Sequence, residues 1–217
     1  HIKGQLHRRA SAVVANSHCH TEWLRTQFPF LDKKLHTVLN GVDLRLFKPR
    51  TVTETALPVP LRLLGLGRVA PVKNLSTLAR AASICIAEGI DVTVDWVGRT
   101  EVQQYRDEVQ ALIHAAGIGD RWRWLGERAD VPSVMLSHDA LVLPSWYEGL
   151  PNVVCEAFAV GLPVLASAVS DNTWLVGDGE RGLTFPPGNP KALAATIASF
   201  ARLPPSSLLR MSKSARS

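Results

Sequence analysis

DALVLPSWYEGLPNVVCEAFAVGLPVLAS, residues 139–167, places two short apolar runs on either side of a stretch with helical character. The runs DALVLPS (139–145) and LPVLAS (162–167) are nearly continuous in apolar residues, as strands buried on both faces should be. PNVVCEAFAVG, between them, reads as a helix closed by Gly161. Strand, helix and strand in that order predict a right-handed crossover between parallel strands.

The alternation extends outward. Further apolar runs are LRLLGLG (61–67), DVTVDWVG (91–98), RWRWLGE (121–127) and GLTFP (182–186). The helix-like stretches among them are NLSTLARAASICIAEG, EVQQYRDEVQALIHAAG, DVPSVMLSH and NPKALAATIASFARL. Asn74 and Asp130 are candidate N-caps, and Gly89 and Gly117 join Gly161 as candidate stops. The expectation is an α/β fold: a Rossmann-like open parallel sheet flanked by helices. In such sheets ligands sit outside the carboxyl ends of the strands.

The front of the chain follows a different rhythm. SAVVANS (11–17) reads as a buried strand, and SHCHTEWLRTQF as a helix ending before Pro29. KLHTVLNGVD (34–43) reads as a short strand closed by an Asn-Gly turn. KPRTVTETALPVP (48–60) has a linker's composition. The expected division is therefore 1–47, a linker at 48–60, and the sheet domain at 61–217. The last stretch, LPPSSLLRMSKSARS, is expected to form a helical turn or two and then fray.

With 46% hydrophobic and 20% charged residues, the 217-residue chain has globular composition. No window approaches the roughly 18 apolar residues of a membrane-spanning helix. HIKGQLHRRA has no apolar stretch after its charges and does not read as a signal peptide. Three cysteines, an odd number with no CxxC, favour a reducing, cytoplasmic setting. His18, Cys19 and His20 would point different ways and have no second ligand pair, so no metal site is expected. Residues 1–50 hold nine Lys/Arg against three Asp/Glu; the rest hold fifteen against sixteen. The net +5 thus belongs to the front segment. No basic helix is interleaved with aromatics, so nucleic acid is not expected. Peripheral contact with an anionic membrane surface suits this charge better.

The chemistry concentrates around EGLPNVVCE (148–156). Leu150 reads as an N-cap and Pro151 as the first helical residue, where a missing N–H costs nothing. Gly149 lets a ligand approach the backbone, and the free amides of the first turn form an anion site. Glu156 lies about six residues into the helix, roughly 9 Å along its axis. A nucleoside diphosphate sugar spanning that start would offer hydroxyls to Glu148 and Glu156, with its diphosphate between them. Carboxylates suit diols because they are pure acceptors. GRVAPVKN (67–74) supplies the cations Arg68 and Lys73 directly after Gly67. Such cations would stabilise a leaving diphosphate electrostatically, without a metal. Taken singly, each of these charges is ordinarily a solvated surface residue. The GxG in GLGRVAPVKN is not a dinucleotide fingerprint, and no phosphate-binding GKS or GKT occurs. The inference rests on the conjunction at two strand ends.

These residues carry a resemblance. The chain resembles the C-terminal half of a retaining glycosyltransferase of the group 1 family, with GT-B architecture. The matching motifs are GRVAPVKN, WVG (96–98), LG (125–126), PSWYEGLPNVVCE (144–156) with its E-x7-E spacing, and GLPVLAS (161–167). AVVANS (12–17) and VLNGVD, with Phe47 and Pro49, resemble the end of that family's N-terminal domain. The resemblance runs from about residue 10 to about residue 203.

The resemblance implies that Arg68 and Lys73, beside Gly67, bind the donor diphosphate. It implies Glu148 on the transferred sugar, Glu156 on the ribose, and the backbone of Gly149, Leu150, Pro151 and Asn152 on sugar and phosphate. Glu127, in the loop GERADV, would border the base with Gly98 nearby. Transfer would retain anomeric configuration, with no cofactor and no metal. The partners would be a nucleotide-sugar donor and a sugar, lipid-linked or polysaccharide acceptor held by the missing N-terminal domain. Only about 40 residues of that domain fit here, against about 100–200 for a whole one. The expectations are weak donor binding, no transfer by this chain alone, and self-association through exposed apolar surface. Two other readings are a hydrolase using the two acids and a sugar-nucleotide-binding module without chemistry.

Overall fold

A computed structural model describes residues 9–51 and 54–216; the start of the HIKGQLHRRA reading and two linker positions lie outside them. Six strands form one parallel sheet: β3 (Leu61–Leu66), β4 (Val92–Val97), β5 (Trp122–Gly126), β6 (Ala140–Leu143), β7 (Val164–Ser167) and β8 (Gly182–Phe185). Their order is β5-β4-β3-β6-β7-β8. Chain order reverses between β3 and β6, so the carboxyl ends of those two strands open a crevice. β6 and β7 are buried at every residue, which explains their unbroken apolar sequence.

Helices cover both faces. On one face lie α2 (Leu75–Ala87), α3 (Gln103–Ala115) and α7 (Pro190–Ala201), which contribute Leu75, Leu78, Ile113, Leu193 and Ile197 to the core with Trp96 of β4. On the other lie α4 (Val131–Leu136) and α5 (Asn152–Val160), with Met135, Val154, Ala157 and Val160 against Leu141 and Leu143 of β6. α6 (Asn172–Val176), which the sequence reading left unassigned, follows β7. The expected stops hold: Gly89, Gly117 and Gly161 all have positive φ, at 80°, 66° and 75°.

Asn74 and Asp130 stand at the expected N-cap positions, but neither side chain makes a capping hydrogen bond. Asn74 is the N-cap of α2, in the left-handed region (φ 53°), and its side chain makes no capping hydrogen bond. Its Nδ2 instead donates to the carbonyl of Pro144 at 3.2 Å, tying the turn after β3 to the end of β6. Asp130 is the N-cap of α4, and its carboxylate pairs with Arg128 instead of with the helix amides. The side chain of Asn189 does cap α7, accepting from the amide of Ala192 at 3.0 Å.

The front segment has a two-stranded parallel sheet, β1 (Val13–Ala15) with β2 (Leu35–Thr37), and α1 (His18–Gln27) between. Its small core is Ala15, Leu24, Leu31 and Leu35. β1 is not buried on both faces, since Val14 is 60% exposed. No hydrogen-bonded turn forms at Asn40–Gly41; Asn40 instead donates from Nδ2 to Oδ1 of Asn152 at 2.8 Å. The tail does not fray after a turn or two. It forms α8 (Pro205–Ser214), which buries Leu208 and Met211, and Ser212 Oγ donates to the carbonyl of Gly161. Among the described residues no helix is long and apolar enough to cross a membrane.

Candidate functional site

The site begins where β3 and β4 end. Gly67 (φ 148°) and Gly98 (φ 142°) pack against each other there. A Cβ on Gly98 would lie 2.1 Å from the carbonyl oxygen of Gly67. Only glycine therefore allows these strand ends to approach so closely. The Gly67 oxygen also accepts from Trp96 Nε1 at 2.9 Å, and the Gly98 amide donates to the carbonyl of Gly126 at 2.8 Å.

Lys73 comes from the short 3-10 turn Pro71–Lys73 and folds back over Gly67. Its Nζ donates to Oε1 of Glu148 at 2.6 Å, in the loop that leaves β6. The two side chains are only 15% and 10% exposed. Ser145 Oγ donates to the same oxygen at 2.6 Å, and the Glu148 amide donates to Ser170 Oγ at 3.3 Å. The two strand ends separated by the reversal of chain order thus meet in one ion pair. Arg68 takes another direction: its guanidinium is half exposed and pairs with Glu101 on the loop after β4.

α5 starts one residue later than the sequence reading placed it. Pro151 (φ −75°, ψ 108°) is the N-cap and Asn152 the first helical residue. Leu150 is drawn into the core at 7% exposure, so it anchors the loop rather than capping the helix. The amides of Asn152 and Val153 have no protein partner among the described residues, as expected at a helix start. Gly149 sits near the front segment; a Cβ there would lie 3.9 Å from Ser17 Oγ. Glu156 is half-buried and has no hydrogen-bond partner among the described residues. Burial pushes its carboxyl above the ordinary range. Glu127 is exposed on the turn after β5, next to Gly126, whose carbonyl takes the Gly98 amide.

The structure therefore brings together Gly67, Gly98, Lys73 and Glu148, with Glu148 three residues ahead of the N-cap of α5, and it leaves Arg68 engaged with Glu101. Sequence reasoning missed Ser145 and Ser170, which hydrogen-bond to Glu148, and Ser167 and Asn172, which support Ser145 through a chain of hydrogen bonds. Their one legible signal is position, since Ser145 and Ser167 sit at the carboxyl ends of β6 and β7. No group of three or more His, Cys, Asp or Glu suited to a metal occurs among the described residues.

The model of the family "Glycosyl transferases group 1" matches residues 60–202. A lipopolysaccharide core biosynthesis mannosyltransferase, LpcC, from Rhizobium leguminosarum is 30% identical over 201 residues, 89% of this chain and 55% of the relative. An Escherichia coli galactosyltransferase, named for UDP-Gal and GlcNAc-diphosphoundecaprenol, is 32% identical over 155 residues, 66% of this chain and 39% of the relative. The chain thus spans about half the length of the curated relatives it matches. Among solved structures, Anabaena HepE in complex with UDP and glucose superposes with a TM-score of 0.87 at 24% identity, covering 99% of this chain and 60% of that one. A crevice at the point of strand reversal, a basic residue and an acid meeting in it, and a family match across the whole sheet lead to one assignment: the chain belongs to the group 1 glycosyltransferases.

Proposed function

We propose that this chain is the donor-binding half of a retaining, metal-independent hexosyltransferase and that it holds a nucleoside diphosphate sugar across the start of α5. The observation that carries this reading is the Lys73–Glu148 pair at the mouth of the crevice, three residues ahead of the N-cap of α5, whose first amides have no partner among the described residues. The donor's diphosphate would lie on those amides and on Lys73, with Arg68 released from Glu101 to join them. Glu148 would accept from the hydroxyls of the transferred sugar. Glu156, which has no hydrogen-bond donor among the described residues, would accept from the ribose hydroxyls; pairing with them compensates its burial. Gly98 and Glu127 would border the base.

In the reaction, the bond from the anomeric carbon to the diphosphate oxygen breaks and its electron pair leaves with the diphosphate. The acceptor hydroxyl attacks the face being vacated, and its proton passes to a departing phosphate oxygen. Lys73, Arg68 and the helix amides stabilise that developing charge. The acceptor is a sugar, a lipid-linked saccharide or a polysaccharide, in keeping with relatives named for lipopolysaccharide core and colanic acid biosynthesis. The basic first fifty residues suit a cytoplasmic protein resting on the anionic inner face of a membrane. This chain alone is expected to bind donor weakly and to transfer nothing.

Calorimetry with UDP, GDP and their glucose, galactose and mannose conjugates tests the proposal. One of these should bind, and Lys73→Ala should weaken binding at least about tenfold, the equivalent of one charge-assisted hydrogen bond. If none binds to the folded chain, the reading fails.

A further inference from the structure

Glu148 is fixed from several directions, and most of them lead to one loop. Its amide donates to Ser170 Oγ, and its carboxylate takes Ser145 Oγ. The Ser145 carbonyl accepts from Ser167 Oγ at 2.6 Å, and the Ser167 carbonyl accepts from Asn172 Nδ2 at 3.0 Å. Ser167, Ser170 and Asn172 all lie where β7 passes into α6. Ser170 adopts a left-handed conformation, φ 50°, so the turn is strongly constrained.

Asp171, in the middle of this turn, is 3% exposed and reaches back to the front segment. Its Oδ2 accepts from the amide of His18 and its Oδ1 from the amide of Cys19, each at 2.7 Å. These amides open α1 and have no partner within that helix. A carboxylate placed there gains two charge-assisted hydrogen bonds and the favourable end of the helix dipole. Ser17 Oγ accepts from the His20 amide, so the first turn of α1 is fully engaged. Asp171 is therefore a joint between two parts of the molecule rather than an open anion site.

We propose that Asp171 is a positioning residue through which the seating of α1 sets the place of Glu148. The inference rests on Glu148 being the sugar-contacting acid. Releasing α1 would loosen the turn carrying Ser170 and Asn172, and with it the support of Glu148. The amides that begin α5 would stay in place and keep their hold on a diphosphate.

Asp171→Asn sets an amino group against one of the α1 amides. Site-resolved hydrogen exchange on the 217-residue chain should then show lost protection at His18, at Cys19 and also at Glu148. Ser170→Ala cuts the link from the other side and should expose Glu148 alone. Loss confined to His18 and Cys19 in the Asp171 variant, with Glu148 unchanged, overturns the proposal. A second arm compares UDP with UDP-glucose by calorimetry. The added affinity contributed by the sugar should fall about tenfold in Asp171→Asn while UDP affinity is unchanged. Equal loss for both ligands would mark a merely structural role and overturn the proposal. Where the parent chain binds GDP instead of UDP, this arm uses GDP and its sugar conjugate. Failure to bind any of UDP, GDP and their sugar conjugates counts against the proposed function, and the exchange arm still decides this one.

Discussion

Lys73 and Arg68 look alike in sequence and differ in what surrounds them. The Lys73–Glu148 pair is mostly shielded from water, so removing the lysine strands a carboxylate whose only remaining side-chain donor among the described residues is Ser145. Breaking such a pair costs about 3 kcal/mol. Lys73→Met should therefore lower stability by that order in urea unfolding, apart from any effect on ligand. Arg68 and Glu101 are 51% and 38% exposed, and an exposed pair contributes under about 1 kcal/mol. Glu101→Gln should leave the urea midpoint nearly unchanged, and a large drop would show that the pair is structural. A third acid carries a pH signature. Burial alone would raise the carboxyl of Asp95, but hydrogen bonds from His138 Nε2 at 3.0 Å and from Arg123 outweigh it and hold it below its ordinary range. A depressed carboxyl contributes stability above its unfolded value of about 3.9, and that stability is lost as pH falls through the folded value. Asp95→Asn should lower stability at pH 7 and flatten its decline in acid; an unchanged acid-unfolding profile would contradict this.

At the scale of elements, the ends of strands and helices decide where the site residues stand. Pro151 rather than Leu150 caps α5, because Leu150 gains more from burial than from a capping position. The first turn of α5 therefore stands one residue further along than a sequence rule would place it. α8 reads as a tail because it is short and bounded by prolines and serines. Its partners are distant in sequence: Met211 joins the core beneath the sheet, and Ser212 closes the carbonyl of Gly161 at the end of α5. Met211→Ala should cost about 2–4 kcal/mol in chemical unfolding. A loss below about 0.5 kcal/mol would mean that the helix is loosely held, since surface substitutions stay within that range.

Across the whole molecule, the sheet domain and the front segment differ in how much they bury. The sheet has a covered core on each face, whereas the front segment encloses four buried apolar residues. It leaves Val14, Trp23, Leu44 and Leu46 more than half exposed. Stability follows buried contact, so amides of β1 and β2 should exchange well before those of β3 and β6. Uniform protection across both parts would refute this. Exposed apolar residues of this kind predict association, which a sedimentation coefficient that rises with concentration would reveal; a constant coefficient would refute it.

The sequence by itself determined the six strands of the sheet domain and most of the helices between them, but not α6 or the full length of α8. Short apolar runs such as ALVL and VLAS read as strands buried on both faces, and glycines with positive φ follow the helices where their lack of a Cβ allows it. These features are local, and local physics sets them. Only the tertiary structure decided which side chains meet. The strand order that brings Lys73 to Glu148, the turn of Arg68 toward Glu101 and the reach of Asp171 to α1 depend on contacts between residues 33 to 153 positions apart. Spacing along a chain carries no record of such pairings, because the packing of the whole sheet selects them.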